Sequence, residues 1–303
     1  MVRYRFEYYL TRLVGQIARG LSTPTAGAIG DRLGDLFFHF IKIRRDVMLE
    51  NLTHALRSER SPEELNRIAL LNYRHFGRTL LEFARIAQIK REILISEIPI
   101  INRNILEHAI NQKRGVLVLS GHLGNWEYLA AAVASVGPPL YAIFKEQKNL
   151  LVDNLIKQQR INLGLLPLKV KGGAARGTLA ALQQGAKVLI LFDQDAGGKG
   201  VFIDFFGRPA STTDGPARIA IKYNIPCVMA FGLRSKRGAI RVVIEKFPDP
   251  AGFENNERGI QKFIETYNRR LEKYIKRYPE QYFWMHRRWL TWERRQQNKV
   301  TLR

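Results

Sequence analysis

Near residue 100 the chain changes period, and that change constrains its fold more than any other feature. Before it, apolar residues recur at helical spacing; after it, short apolar runs alternate with helical stretches. Val116–Ser120, Leu140–Phe144, Val188–Phe192 and Cys227–Phe231 have the length and content of buried strands. Trp126–Val136, Leu150–Leu163, Thr178–Gln184 and Pro216–Tyr223 read as the helices between them. This order predicts an α/β fold with a mainly parallel central sheet flanked by helices. Ile240–Ile244 alternates polar and apolar positions and is expected at a sheet edge. In such a sheet, groups that handle ligands belong at the carboxyl ends of strands. No repeat or linker divides the chain. Residues 1–100 are therefore expected to form an N-terminal helical, membrane-associating extension, and residues 101–303 one integrated α/β core.

In the first hundred residues Phe6, Leu10, Leu13, Ile17 and Leu21 share one helix face, and Arg5, Arg12 and Arg19 line its flank. An apolar stripe edged with arginine suits a helix lying in a membrane interface. It suits equally a surface helix packed on its own domain. Ser22-Thr-Pro-Thr25 breaks this helix, and a second is expected from about Ala26, with Ile29, Leu33, Leu36, Phe37, Phe40 and Ile41 as its apolar face and Phe38 widening it. Ser61-Pro-Glu-Glu64 is a capping box that should open a helix running to about residue 87.

Composition narrows the partner. The 303 residues carry 49 Lys and Arg against 27 Asp and Glu, a net +22, while 46% are hydrophobic. So apolar a chain can offset the entropy of ordering, which excludes a disordered tail. The charge calls for an anionic partner: nucleic acid, anionic lipid, a phosphorylated substrate or an acidic carrier protein. Cys227 is the single cysteine, lies in an apolar run and excludes an internal disulfide framework. No secretory signal follows the N-terminus. The longest charge-free run, Tyr128–Phe144, is broken by Gly137-Pro-Pro139 and falls short of the ~20 apolar residues of a spanning helix.

Directly after the first expected strand comes Ser120-Gly-His-Leu-Gly-Asn-Trp-Glu127. It presents an imidazole where a strand gives way to a helix. If the loop folds back, Glu127 can hold one ring nitrogen of His122 and raise the basicity of the other. A histidine and carboxylate bonded for packing alone is the plainer reading of the pair. Ser120 precedes the turn and forms no Gly-x-Ser-x-Gly elbow, so the chemistry that fits is attack by a substrate hydroxyl that His122 deprotonates. With no His-Glu-x-x-His, Cys/His cluster or phosphate loop, no metal or nucleotide cofactor is expected.

Two further basic segments are candidates for anion binding. Lys171 and Arg176 flank glycines ahead of a helix, a setting for phosphate or simply a glycine-allowed turn. His286, Arg287 and Arg288 lie between Trp284 and Trp289, where guanidinium groups suit phosphate or carboxylate and tryptophans suit a membrane interface. A solvated basic surface over two core aromatics is the alternative. The charge and these aromatics also admit a nucleic-acid-binding protein, but none of its motifs is present and it leaves Gly-His-Leu-Gly-Asn-Trp-Glu unexplained.

These residues carry a resemblance. His122-x4-Glu127 matches the shared motif of the lysophospholipid acyltransferase superfamily, and the chain resembles more narrowly the lipid A biosynthesis (late) acyltransferases. The similarity includes Arg44-Arg45 through Asn51-Leu52, Phe192-Asp-Gln-Asp195, Phe205 through Ala217, and Pro279 through Trp289. It implies His122 as base and Glu127 as its acidic partner, and it places a family arginine on Arg160 and a family aspartate on Asp193, with Asp195 nearby. Arg160 would stabilise an oxyanion or bind phosphate; Asp193 would position the acceptor or brace Arg160. The resemblance also implies an acyl carrier protein thioester as donor, and a lipid A precursor or another glycolipid, such as a phosphatidylinositol mannoside, as acceptor. An anionic surface on the cytoplasmic side of a bacterial inner membrane would be the place of work.

Overall fold

A computed structural model describes residues 2–86, 89–144, 146–168 and 173–301. Five helices lead into the sheet: α1 (Val2–Arg19), α2 (Thr23–Leu36), α3 (Arg45–Leu56), α4 (Pro62–Ile86) and α5 (Arg91–Ser96). The main sheet takes β1 (Ile100–Ile101), β2 (Val116–Ser120), β3 (Leu140–Ala142), β4 (Leu165–Pro167), β5 (Lys187–Leu191), β8 (Cys227–Arg234) and β9 (Ile240–Lys246). Its order is β1-β9-β8-β2-β5-β3-β4. Strands β8, β2, β5, β3 and β4 run parallel, and β9 turns back antiparallel to β8. Strands β6 (Val201–Phe205) and β7 (Arg208–Thr212) form a separate antiparallel hairpin, while α6 (Arg103–Asn111) precedes β2 and α10 (Gly215–Tyr223) precedes β8.

Helices cover both faces of the sheet because its strands are apolar on both. Along β2, Leu117 and Leu119 enter one core with Phe263, Tyr267 and Leu271 of α11 (Glu257–Arg277), while Val116 and Val118 enter another with Leu129–Val133 of α7 (Trp126–Ala134). The first core also takes Met48, Leu52, Leu65, Ala69 and Tyr73 from α3 and α4, together with Trp284 and Trp289. These two N-terminal helices therefore share a core with the sheet.

The mainly parallel sheet is as the alternation implied. Strand β9, expected at an edge, is instead covered by the two-residue β1. Its alternation reflects one wet face: Val242 and Ile244 are buried while Arg241 is exposed. The short β4 and the β6–β7 hairpin were not anticipated.

Helix α2 also departs from its expected face. It begins at Thr23, capped by Ser22, and meets α4 through Ala26, Gly30 and Gly34 rather than through Ile29, Leu36, Phe40 and Ile41, which are exposed. Phe37–Ile41 forms a turn of π-helix. The small residues let the two backbones approach closely, and two arginine–carboxylate pairs flank the seam, Arg74 with Asp35 at 2.6 Å and Arg78 with Asp31 at 2.5 Å. At Ser61 the capping box forms as read: Glu64 N–H donates to Ser61 Oγ at 3.3 Å, and Ser61 N–H donates to Glu64 at 2.9 Å.

A Cβ at Gly34 would stand 2.5 Å from Arg74 Cα, whereas one at Gly27 would meet nothing within 4 Å. Gly34→Val should therefore cost at least about 1–3 kcal/mol in urea unfolding. Gly27→Ala should leave stability unchanged or raise it slightly. Equal midpoints for the two variants would contradict this account of the seam.

Candidate active site

The site lies at the carboxyl ends of neighbouring β2 and β5. Past β2 the chain must turn sharply to start α7, and Gly124 allows it: its φ is +71°, and a Cβ there would clash with the Gly232 carbonyl. Asn125 then caps α7, its side-chain oxygen accepting from the N–H groups of Glu127 and Tyr128 at 3.1 Å. Main-chain bonds pin this loop from two sides, Asn125 N–H donating to Gly232 at 2.7 Å and Gly124 N–H to Gln281 at 2.9 Å.

So held, the loop delivers His122 to Asp193, just beyond β5. His122 N–H donates to Asp193 Oδ2 at 2.8 Å, and Nδ1 lies 2.7 Å from Oδ1. A carboxylate facing Nδ1 requires the proton there, which makes Nε2 the acceptor nitrogen on the site side. The Gln194 side-chain amide is 3.3 Å from Nε2. Burial alone would lower the His122 pKa, but the charge of Asp193 and its hydrogen bond outweigh burial and raise it above 6.5. Burial would in turn raise Asp193, but His122 and the field of Arg288 hold it below the ordinary 3.8. The rings of Trp126 and Phe283 stand 5.2 and 6.1 Å from the imidazole.

Glu127 is not the partner of His122. It sits in the first turn of α7 and faces α8 (Leu150–Asn162), where it accepts from Arg160 Nη2 at 2.6 Å and Nε at 3.1 Å. The loop does not fold back because its glycine and asparagine are tied to β8 and to residue 281. Glu127 therefore orients Arg160, and Asp193 orients His122. Arg160 also packs over the Phe144 ring at 5.1 Å, and its Nη1 makes no hydrogen bond to a described residue.

The C-terminal basic segment is built differently from its expected form. Arg288 is 2% exposed and donates to the carbonyls of Gln194 and Ser211 and to Thr212 Oγ1, at 3.3, 2.5 and 2.5 Å. Its two Nη atoms are taken up by the loop after β5 and by β7, while its buried Nε has no hydrogen-bond partner among the described residues, so Arg288 ties those two segments together beneath the site. Trp284 and Trp289 are buried in the core, so neither is an interface tryptophan. His286 accepts from Asp195 N–H at 2.9 Å, and burial first of all lowers its pKa to about 4. Arg287 is exposed, as is Arg176 in the first turn of α9 (Ala174–Gln183). Lys171 lies outside the described residues.

Several contributors were invisible as sequence. Tyr267 donates to Ser120 O at 2.7 Å and stacks on Phe192 with ring centres 3.9 Å apart. Asn51 donates to the carbonyls of Trp284 and His286 at 2.7 and 2.8 Å, and Asn72 to those of Glu280 and Tyr282 at 2.9 and 2.7 Å. These asparagines fasten the segment carrying Phe283 and Arg288 to α3 and α4. Asn125 was the readable one, as a polar residue immediately before a helix start.

Comparison with known proteins decides the family. The family model for bacterial lipid A biosynthesis acyltransferases matches residues 2–291. The chain belongs to that family. It is similar to the lipid A biosynthesis palmitoleoyltransferase of Escherichia coli strain K12, at 25% identity over 277 residues, covering 89% of this chain and 87% of that protein. It is 26% identical over 290 residues to the lipid A biosynthesis lauroyltransferase of the same strain, covering 94% and 92% of the two chains. A phosphatidylinositol mannoside acyltransferase of Mycolicibacterium smegmatis matches at 24% over 164 residues, or 53% of each chain.

The contrast between adjacent arginines gives a direct check of the brace. Arg288→Met removes three hydrogen bonds, two of them buried on β7, and should destabilise this acyltransferase-family chain by about 1–3 kcal/mol or more. Arg287→Met, on the surface, should stay within about 0.5 kcal/mol of wild type. Urea midpoints measure both, and a neutral Arg288→Met would contradict the assignment.

Proposed function

We propose that this chain is an O-acyltransferase that moves a fatty acyl group from an acyl carrier protein thioester to a hydroxyl of a lipid A precursor, working at the cytoplasmic face of a bacterial inner membrane. The observation that carries the reading is the His122 imidazole, held by Asp193 through Nδ1 with Nε2 presented to the site, in a chain of this family. Nε2 takes the proton of the acceptor hydroxyl as its oxygen bonds to the thioester carbonyl carbon. Asp193 stabilises the imidazolium that forms, in keeping with the raised His122 pKa. The tetrahedral oxyanion needs a fixed donor, and Arg160, oriented by Glu127, is the group we assign to it. Collapse breaks the C–S bond, and the departing thiolate receives the proton from Nε2.

Surface features support a membrane setting. No helix among the described residues is long and apolar enough to cross a bilayer. Yet α1 leaves Phe6, Leu10, Leu13 and Ile17 exposed, and Phe40 near α2 is 77% exposed. Arg5, Arg12 and Arg19 are exposed beside them. An apolar surface edged by arginine is what an interfacial helix presents. On this reading the membrane-associating part of residues 1–100 is α1 with the turn at Phe40, α3 and α4 pack into the core built by residues 101–303, and Arg287 and Arg176 are available to headgroup phosphates. The basic surface would also complement an acidic carrier protein.

The mycobacterial relative makes a phosphatidylinositol mannoside the alternative acceptor. The test supplies acyl carrier protein thioester with each acceptor in vesicles. Transfer should depend on His122, with His122→Ala lowering turnover by about 10²–10⁴-fold. Undiminished turnover in that variant would overturn the mechanism, and transfer to the mannoside alone would change the acceptor.

A further inference from the structure

A second basic site lies on the other side of the catalytic loop. A cleft of about 660 Å³ opens at the carboxyl end of β8, between that strand, α4 and the end of α11. Its wall carries six cations, Arg74, Arg78, Arg234, Lys236, Arg241 and Arg277. Three of these are already matched by carboxylates: Arg74 by Asp35, Arg78 by Asp31 and the buried Arg234 by Glu82. Lys236, Arg241 and Arg277 are exposed and form no ion pair among the described residues. The remaining wall carboxylate, Glu280, accepts from the Gln281 amide at 3.2 Å. Six cations thus face four carboxylates, Asp31 and Glu280 in the wall and Asp35 and Glu82 behind it.

Like charges gathered in a concave, low-dielectric wall focus a positive potential. A surplus of two positive charges is the complement of a phosphomonoester, which carries about −1.5 to −2 at neutral pH. Guanidinium groups match its oxygens geometrically. We propose that this cleft is a binding site for a phosphomonoester group, separate from His122.

The cleft is wired to the catalytic loop. His75, in its wall, has Nε2 3.3 Å from Gly124 O. Arg234 holds Glu82 with both guanidinium Nη atoms, and Glu82 accepts from Asn125 Nδ2 at 2.8 Å. Gln281 clasps the Arg234 backbone with its side chain at 2.9 and 2.8 Å while its carbonyl receives Gly124 N–H. A bound phosphate would lie against the scaffold that positions His122, one loop away from it.

The source of the phosphate, a soluble metabolite or a lipid headgroup, is separated by experiment. Glycerol 3-phosphate is titrated calorimetrically into the full chain, and flotation compares phosphatidylcholine vesicles doped with phosphatidic acid or with phosphatidylglycerol. Lys236→Glu and Arg241→Glu alter exposed side chains; Arg258→Glu, near the opposite end of α11 and about 28 Å from Arg277, is the control. Each cleft reversal should weaken glycerol 3-phosphate binding by roughly tenfold or more, with the control unaffected. Binding seen only as a preference for phosphatidic acid, lost in the same two variants, would assign the site to a lipid headgroup. Absence of both responses, or an equal loss in Arg258→Glu, would overturn the proposal.

Discussion

A carboxylate buried as deeply as Asp193 is costly unless its oxygens are met, and much of this molecule is arranged around meeting them. One oxygen accepts the His122 main-chain N–H and the other faces the His122 ring. The two-point contact fixes the loop after β2 and the tautomer of the imidazole at once. Arg288, itself buried, adds its positive charge nearby and ties the loop after β5 to β7. Asn51 and Asn72 hold the segment that carries Arg288. The N-terminal helices thereby bear on the geometry of a histidine more than forty residues further along the chain.

The two halves of the site depend on different parts of the fold. His122 and Asp193 come from the ends of β2 and β5, which pair directly in the sheet. Glu127 and Arg160 come from two helices, α7 and α8, that follow successive strands. Their pair positions a guanidinium whose third nitrogen has no hydrogen-bonding partner among the described residues. The first pair suits proton transfer and the second suits charge stabilisation. A reaction passing through an oxyanion calls for both.

Much of this was legible in sequence, and the failures have physical causes. Alternating apolar runs announced a parallel sheet, and the glycine-flanked histidine announced a strand-end site. The partner of His122 was not legible because it depends on strand order: β5 lies sixty-odd residues away in the chain, and only the sheet brings it adjacent. Spacing favoured Glu127, but a residue in the first turn of a capped helix points where the cap directs it, here toward α8. The face of α2 misled for a related reason. Apolar content marks a face for burial only when no closer packing is available, and Gly30 and Gly34 allowed a tighter backbone approach to α4. The burial of Arg288 was not legible because a basic run between tryptophans looks the same whether those tryptophans lie in a core or at an interface.

The same principle sorts the high positive charge. Part of it is internal structure, as in Arg74, Arg78, Arg234 and Arg288. Other cations stand exposed along α1, at Arg287 and around the cleft beyond the catalytic loop. By these contacts Asp193, and not Glu127, should govern the protonation of His122. Nuclear magnetic resonance titration of the His122 ring nitrogens tests it most directly. In the wild type the ring should titrate above 6.5 with its Nδ1 proton hydrogen-bonded, because the carboxylate favours the charged ring. Asp193→Asn should move the midpoint downward, since the partner that raises it is gone and burial then dominates; Glu127→Gln should leave it near the wild-type value. A midpoint that follows Glu127 and ignores Asp193 would contradict the account.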